Sequence, residues 1–528
     1  MGIFGRILRS IPGFSARDGR FELLERERGS LENAEKSRSE AERGDERAPV
    51  PVPRSVLEAE KLLKGEEFFG NDPDLITREF TVGGRLPALI VYMNGLASDA
   101  KINEFLLRPL MRVGDRELSA EHLIESVIEI AEVKRGRDMD PAVSGVLEGM
   151  TALFFEGAGE YMLLETRGAE KRAVGSAENE KTVRGSKAAF TEDMRTNITL
   201  IRRGIKKADL TVKLLPSGAK DGGGAAIVYR EGFTSKALIA EVEKRLFSAS
   251  PRITASGVAE QLMEDAPLMP VPQTLVTERP DRVVSHIMNG RVCVLAEGSP
   301  EAVVVPATLA SLMNSPEDVY LKRPLGTLLR LVRYVGALVS VVLPGYFLAL
   351  ALYHQGLMTT EVLGTVIASR RMVFEPIGAE MLLLLFIFQL IREAGLRVPG
   401  GIGQAIGIIG GLIMGQAAVS AHLASSVVLI VVAGAGLGNF CIPDHSLQLA
   451  AAYLRLAAVA AAWLGGLLGL TAVFLLALLR LAGLKSFGMP FLSPLAPKTF
   501  SDRPPIFRGP IKGGLPSDGA NTEKDGEL

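Results

Sequence analysis

The chain has 528 residues, 47% hydrophobic and 23% charged, with a formal net charge of −1 and two cysteines, Cys293 and Cys441. A balanced charge with no basic stripe excludes a general nucleic-acid binder, and two cysteines in regions of opposite character exclude a disulfide framework or a thiolate metal site. The length suits about three domains, and the high apolar content beside so many charges separates a soluble part from a membrane part.

The first residues, Met1 to Phe14, set Ile3, Phe4, Ile7, Leu8 and Ile11 around Arg6 and Arg9. That stretch is too short and too interrupted for a secretory signal, so the soluble region is expected to face the cytoplasm. Residues 16–54 are dense in Arg and Glu and end in Pro49, Pro51 and Pro53. Such a composition buries too little apolar surface to offset its ordering entropy, and 1–54 is expected to be a disordered N-terminal segment. A first α/β subdomain is expected over 55–185. Its elements are a helix from Ser55 to Lys64, an apolar strand Leu86–Met93 closed by Asn94-Gly95, helices at Ile102–Met111 and Glu121–Val127, and a hairpin. The hairpin pairs Thr151–Phe155 with Tyr161–Glu165 about Gly157 and Gly159.

A second α/β subdomain is expected over 186–320. Thr191 is the expected cap of a helix to Ile205, with Glu192 and Asp193 adding negative charge to its first turn. Strands follow at Leu210–Leu215 and Ala225–Tyr229, then helices at Ala237–Phe247 and Val258–Glu264. A helix opened by Arg279-Pro280-Asp281 and a hairpin of Arg291–Leu295 with Ala302–Val305 complete the unit. Arg184, Arg195, Arg202 and Arg203 lie on and before the first of these helices. Guanidinium groups form bidentate pairs with fixed carboxylates, so these four are expected to hold a contact between subdomains or subunits.

From Leu321 the character changes, and a membrane domain of about five apolar helical segments is expected over 321–485. Lys322, Arg323, Arg330 and Arg333 precede Val335–Tyr353, nineteen residues without a charge, and basic residues before a first span mark a cytoplasmic flank. Met372–Ile391 holds Glu375, Pro376, Glu380 and Gln389. Gly400 to Pro443 spans forty-four residues with no Asp, Glu, Lys or Arg, enough for two helices that turn near His422–Ser426. Leu456–Leu479 is the last segment. Five crossings put the tail opposite the soluble region, whereas Arg480, Lys485 and Lys498 pull it to the same side; a re-entrant segment reconciles the two. Residues 486–528, rich in Pro and Gly, are expected to be a disordered tail. The fold class is therefore an α/β soluble region of two subdomains followed by an all-α multi-span membrane domain.

Polar groups inside a membrane need a partner or water, which makes Glu380, Gln389, Gln404, Gln416 and Ser420 the candidate pore or polar membrane residues. In a symmetric oligomer one such residue per subunit becomes a ring, and such rings line ion pathways. Gly403, Gly407, Gly411 and Gly415 recur every fourth residue and drift only about 40° per step around the axis. They form a candidate ridge for close helix packing. The five histidines show no paired-ligand spacing, and neither HExxH nor GxSxG occurs, so neither an enzyme nor a cofactor is expected.

Several stretches carry a resemblance. They are Val91-Tyr92-Met93-Asn94-Gly95-Leu96 with Arg108-Pro109-Leu110, the long run from Val183 through Ile198 to Arg203, Arg279-Pro280-Asp281-Arg282-Val283, and Glu297-Gly298-Ser299-Pro300. In the membrane part they are Arg392-Glu393-Ala394-Gly395-Leu396-Arg397, Ile402-Gly403-Gln404-Ala405, Gly415-Gln416-Ala417-Ala418-Val419 and Phe440-Cys441-Ile442-Pro443. Together the chain resembles the spore germination receptor A-subunit family, the GerA type. The resemblance implies a subunit of a complex in the spore inner membrane that oligomerises into a nutrient-gated ion channel, working with a transporter-like B subunit and a lipoprotein C subunit. The family often carries acidic residues where this chain has Leu385, Gln389 and Ser420, which leaves cation selection by a carboxylate ring open. A stage V sporulation AF-like auxiliary subunit that amplifies ion release, and a non-conducting membrane scaffold, are the alternatives.

Overall fold

The apolar run from Leu86 to Met93 becomes an inner strand because both of its faces are covered. In the computed structural model, residues 50–496 are described apart from 66–67, 71, 114–122, 124–125, 169–174, 216–223, 249–254, 398–410 and 412. The first sheet is ordered β1 (Leu75–Val82), β2 (Leu86–Met93), β4 (Thr151–Phe155), β5 (Tyr161–Leu164), β3 (Val133–Gly136), every pairing antiparallel. Leu89, Val91 and Met93 pack with α1 (Val56–Leu63) and α2 (Met139–Leu147). Ala88 and Ile90 point the other way, onto Ile102, Leu106 and Leu110 of a helical run with a π-turn at Ile102–Leu107. A strand buried on both faces loses the alternation that marks a half-buried one. Of the helix expected at Glu121–Val127, residues 121, 122, 124 and 125 lie outside the described residues.

The second sheet repeats the first. Its order is β6 (Leu210–Leu215), β7 (Ala225–Arg230), β9 (Val292–Ala296), β10 (Ala302–Val305), β8 (Leu275–Thr277), so each strand stands where its counterpart does in the first sheet. Helix α3 (Met194–Gly204) precedes β6 as α1 precedes β1. Helices α4 (Lys236–Ser248) and α5 (Ser256–Met263) take the place of the π-containing run, and α6 (Pro280–Ile287) precedes β9 as α2 precedes β4. The duplication is written in the chain: Ala-Leu-Ile-Val-Tyr-Met-Asn-Gly at 88–95 and Ala-Ala-Ile-Val-Tyr-Arg-Glu-Gly at 225–232 share five of eight residues. Strands β1, β3 and β8 carried no apolar signal; each lies at a sheet edge, where charged and polar side chains are tolerated. The α3 cap is Asp193, not Thr191: the Asp193 carboxylate accepts from Thr196 N at 2.9 Å. Thr191 instead gives its backbone N–H to Asn197 Oδ1 at 2.7 Å.

The chain divides into two compact units, one carrying both sheets and the other taking Glu264–Leu275 and the chain from Ala307. In this second unit α7 (Leu309–Met313) and α8 (Glu317–Tyr320) lead into α9 (Arg323–Tyr353). Then come α10 (Thr360–Arg370), α11 (Ile377–Arg397), a helix at 413–420, α12 (Ser426–Phe440) and α13 (His445–Gly483). Two of these, α9 and α13, are long and apolar enough to cross a membrane; α12 is apolar but has 15 residues. Helices α9 and α12 meet backbone to backbone, because a Cβ on Gly438 would overlap the Gly336 carbonyl and lie 3.0 Å from Ser340 N.

Helix α13 is not one rod. Gly466 sits at φ 59°, ψ −140°, a region open to glycine alone. A Cβ on Gly469 would overlap the Ala461 carbonyl, although residues eight apart in a continuous helix stand about 12 Å apart. Gly345 on α9 likewise lies against both Ala458 and Leu470. The helix therefore doubles back, with arms 445–465 and 467–483. The return arm leads to the hairpin β11 (Lys485–Ser486) and β12 (Met489–Pro490). Ser486 Oγ donates to Gln273 O at 2.6 Å and accepts from Ala307 N at 3.0 Å, and Leu309 N donates to Phe491 O at 2.8 Å. This corrects the expectation for 486–528: residues 486–496 pack against the stretch that precedes α9, anchored by the fully buried Phe487 and Phe491. Residues 50–54, expected to belong to the disordered segment 1–54, are instead ordered, with Val52 buried and its N–H donating to Arg137 O at 2.8 Å. Residues 1–49 and 497–528, also expected to be disordered, lie outside the described residues.

Candidate functional site in the helical unit

Glu380 opens the first turn of α11 and is 1% exposed. Its Oε2 accepts from Arg370 Nε at 3.2 Å, and its Oε1 accepts from Ser425 N at 2.6 Å and Ser425 Oγ at 2.7 Å. Arg370 also donates Nη2 to Glu375 O at 2.7 Å. One carboxylate thus ties the end of α10, the start of α11 and the N-cap of α12, and its acceptor sites are filled by a charge and two dipoles. The turn before that cap places His422 at φ 55°, the break in the apolar block between the helix at 413–420 and α12.

A second polar cluster joins α9, α12 and α13. Ser340 on α9 donates Oγ to Asn439 Oδ1 on α12 at 3.4 Å and accepts from Arg455 Nη1 on α13 at 3.0 Å. All three are at most 2% exposed. At the entry to α9, the fully buried Asp318 takes Arg330 Nε at 3.1 Å and Arg333 Nη1 at 2.6 Å. Those two arginines, read in the sequence as a basic flank, are thereby partly spent inside the fold.

The remaining candidates separate. Gln389 is half-buried on α11, and Gln416 and Ser420 are exposed one turn apart on the helix at 413–420. Gln404, Gly403 and Gly407 lie outside the described residues. A Cβ on Gly411 would meet nothing within 4 Å, and one on Gly415 would touch Leu429 at 3.4 Å. Among the described residues, Gly336 and Gly438 make a tight helix crossing within this chain.

In the unit of two sheets, Arg202 is buried and bridges from α3 to the start of β1. It reaches Asp72 Oδ1 at 2.7 Å and Asp74 Oδ2 at 2.9 and 3.2 Å. Burial raises the Asp72 pKa, and Arg202 opposes that shift. Beside it Thr199 packs on the turn glycine, where a Cβ on Gly95 would lie 2.5 Å from Thr199 Oγ1. Arg184, Arg195 and Arg203 are exposed, and Arg203 lines a cavity of ≈ 240 Å³ with Arg167, Lys206 and Glu148. Arg279 had only been part of a motif. It is fully buried and ties Glu180 O, Thr182 Oγ1, Ser186 O and Asp281 together, so it fixes the loop before α3. Ser340, Asn439 and Arg455 come from three helices, and no spacing along the chain joins them.

The class that emerges is a duplicated α/β region joined to a helical unit with two helices of membrane-crossing length and buried polar clusters. The chain belongs to the family of Bacillus/Clostridium GerA spore germination proteins, whose family model matches residues 64–514. Spore germination protein KA of Bacillus subtilis (strain 168) is 31% identical over 454 residues, covering 85% of this chain and 83% of that protein. Stage V sporulation protein AF of the same organism is 28% identical over 454 residues, covering 85% and 91%. A solved structure, the N-terminal domain of the A subunit of the Bacillus megaterium spore germinant receptor GerK3, is 26% identical with a TM-score of 0.37. It covers 50% of this chain and 99% of that chain.

Proposed function

We propose that this protein is a subunit of a spore inner-membrane germination complex that assembles into a nutrient-gated ion channel. Family membership supports the germination role. The observation that carries the conducting role is the pair Gln416 and Ser420. They lie four residues apart, hence on one helix face, and both are exposed in a single chain within an otherwise apolar block. Lipid leaves such groups unpaired at a cost, so that face belongs against other copies or water, and repetition around an axis makes a polar ring. A homo-oligomer, surrounded by membrane lipid and joined by B-type and C-type germination subunits, is the assembly this reading requires. The alternative of an auxiliary subunit of the stage V AF kind draws on the similarity to that protein over most of the chain.

The fold-back at Gly466 supports six passes of the helical unit rather than five: α9, α11, the helix ending at 420, α12 and the two arms of α13. An even number returns residue 484 to the side where α9 begins, together with Arg480 and Lys485, and reconciles the charge pattern with the hydropathy. The soluble region and the tail then both face the cytoplasm. Ion flux through the purified protein in liposomes tests conduction. Flux that changes ion preference on Gln416→Glu supports the ring, and absence of flux under every gating condition, with B and C subunits present, leaves the non-conducting scaffold. A thiol-labelling reagent that reaches a cysteine placed at residue 500 only from the outer face contradicts the even topology.

A further inference from the structure

Helices α11, α12 and the first arm of α13 bring together buried hydrogen-bond donors that lack an acceptor. Arg455 gives Nη1 to Ser340 Oγ, but its Nε is buried with no partner. Asn439 uses its Oδ1 on the same serine, and its Nδ2 is buried with no partner. Arg392 on α11 donates Nη2 to Gln448 Oε1 at 2.9 Å and leaves Nη1 buried with none. Among the described residues, the charged side chain that acts on Arg455 is Arg392, a second cation. Residues 398–410, which follow α11, contain no Asp or Glu. Gln389 Oε1, one turn before Arg392, is a buried acceptor without a partner, but an amide oxygen brings no negative charge.

A guanidinium removed from water costs several kcal/mol unless a counter-charge compensates it, and a like charge nearby adds to the cost. Every other buried charge described above in this unit has its counter-ion: Glu380 has Arg370, and Asp318 has Arg330 and Arg333. Arg455 has a serine hydroxyl. The missing group must be anionic and accept from several N–H donors at once, which is what a carboxylate does.

We propose that Arg455 and Asn439, held to one another through Ser340, form a carboxylate-binding site inside the helical unit, to which Arg392 adds positive charge. The carboxylate is either a free small anion or an Asp or Glu side chain of a neighbouring subunit. The site stands apart from the Gln416–Ser420 face and does not depend on the conducting role.

The test uses the full chain in detergent micelles and in its assembled form, with thermal midpoints read from the single tryptophan, Trp463 on α13. Acetate is titrated against chloride at constant ionic strength. A saturable rise of a few degrees that Arg455→Gln abolishes supports a free anion. A rise seen after dissociation to monomers but not in the assembly supports a carboxylate from a neighbouring subunit. Asn439→Asp supplies the carboxylate from within the chain, so its midpoint rises above wild type and its acetate response disappears; this variant carries the test if Arg455→Gln does not fold. An acetate response unchanged in Arg455→Gln overturns the site. So does no response in either form together with an Asn439→Asp midpoint below wild type.

Discussion

Replacing Arg202 by Met removes the cation that, among the described residues, bridges two buried carboxylates. Arg202, Asp72 and Asp74 have side chains only 3%, 2% and 6% exposed, so water cannot take over the lost contacts. Breaking a buried pair by removing one partner costs about 3–5 kcal/mol, because the remaining charge is stranded. We take the lower end, about 3 kcal/mol, since Asp72 Oδ1 keeps the backbone N–H of Asp74 at 3.0 Å. That is a shift of about 10²-fold in the folded-to-unfolded ratio at pH 8. The pH dependence identifies the cause. Burial and the neighbouring Asp74 both raise the Asp72 pKa in the folded state, and Arg202 is the main group opposing them. Even with Arg202 in place the folded protein holds this proton more tightly than the unfolded chain does, and without it the difference grows. Stability is then present at low pH and lost as pH rises through the folded pKa. The deficit of Arg202→Met against wild type should therefore shrink between pH 8 and pH 5, read by pulse proteolysis in urea on the full chain in detergent. Arg203→Met, on the exposed neighbour, should stay within about 0.5 kcal/mol. A deficit below about 1 kcal/mol at pH 8, or one that is equal at both pH values, refutes the reasoning.

Gly438→Ala forces a methyl into the Gly336 carbonyl, where backbone meets backbone, and should cost about 1–3 kcal/mol in thermal stability. Gly411→Ala should be silent in the monomer, and loss of oligomer size in Gly411→Leu would mark that face as a subunit contact. Glu380→Gln keeps an oxygen for Ser425 but loses the charge that holds Arg370, so amide exchange at the end of α10 should speed up while that of α13 is unchanged. His286 is held neutral, well below its ordinary pKa, by burial and by Arg291 and Arg282. The unfolded state therefore binds more protons below about pH 6.5, and stability falls on acidification by up to about 1.4 kcal/mol per pH unit from this group. His286→Gln should flatten that slope between pH 5 and 6.5 in the same proteolysis assay.

The sequence by itself determined what composition and period encode. Leu86–Met93, Thr151–Phe155 and Ala225–Tyr229 read as strands because continuous apolar residues leave few other outcomes once turn residues bound them. The forty-four uncharged residues from Gly400 marked an apolar block, and its length predicted the break that the structure places at His422. The family was legible too, because its motifs lie along the chain in order. The duplication was also present, in residues 88–95 and 225–232, but a match of eight residues means little until two sheets of the same order stand behind it. Other features depend on residues far apart in the chain, which no local pattern joins. Arg202 meets Asp72 and Asp74 across 130 and 128 positions. Arg455 meets Ser340 across 115. The return of α13 rests on one glycine whose φ and ψ cannot be told from those of Gly465 by type. Strands β1, β3 and β8 escaped although β6, equally at an edge, did not: charged residues interrupt β1 and β3, and β8 has three residues. The packed hairpin after Gly483 escaped because two phenylalanines suffice to anchor a segment that its composition marks as loose. Tertiary structure decided these because burial changes the energy of a charge or a turn by several kcal/mol, whereas local propensity changes it by less than one.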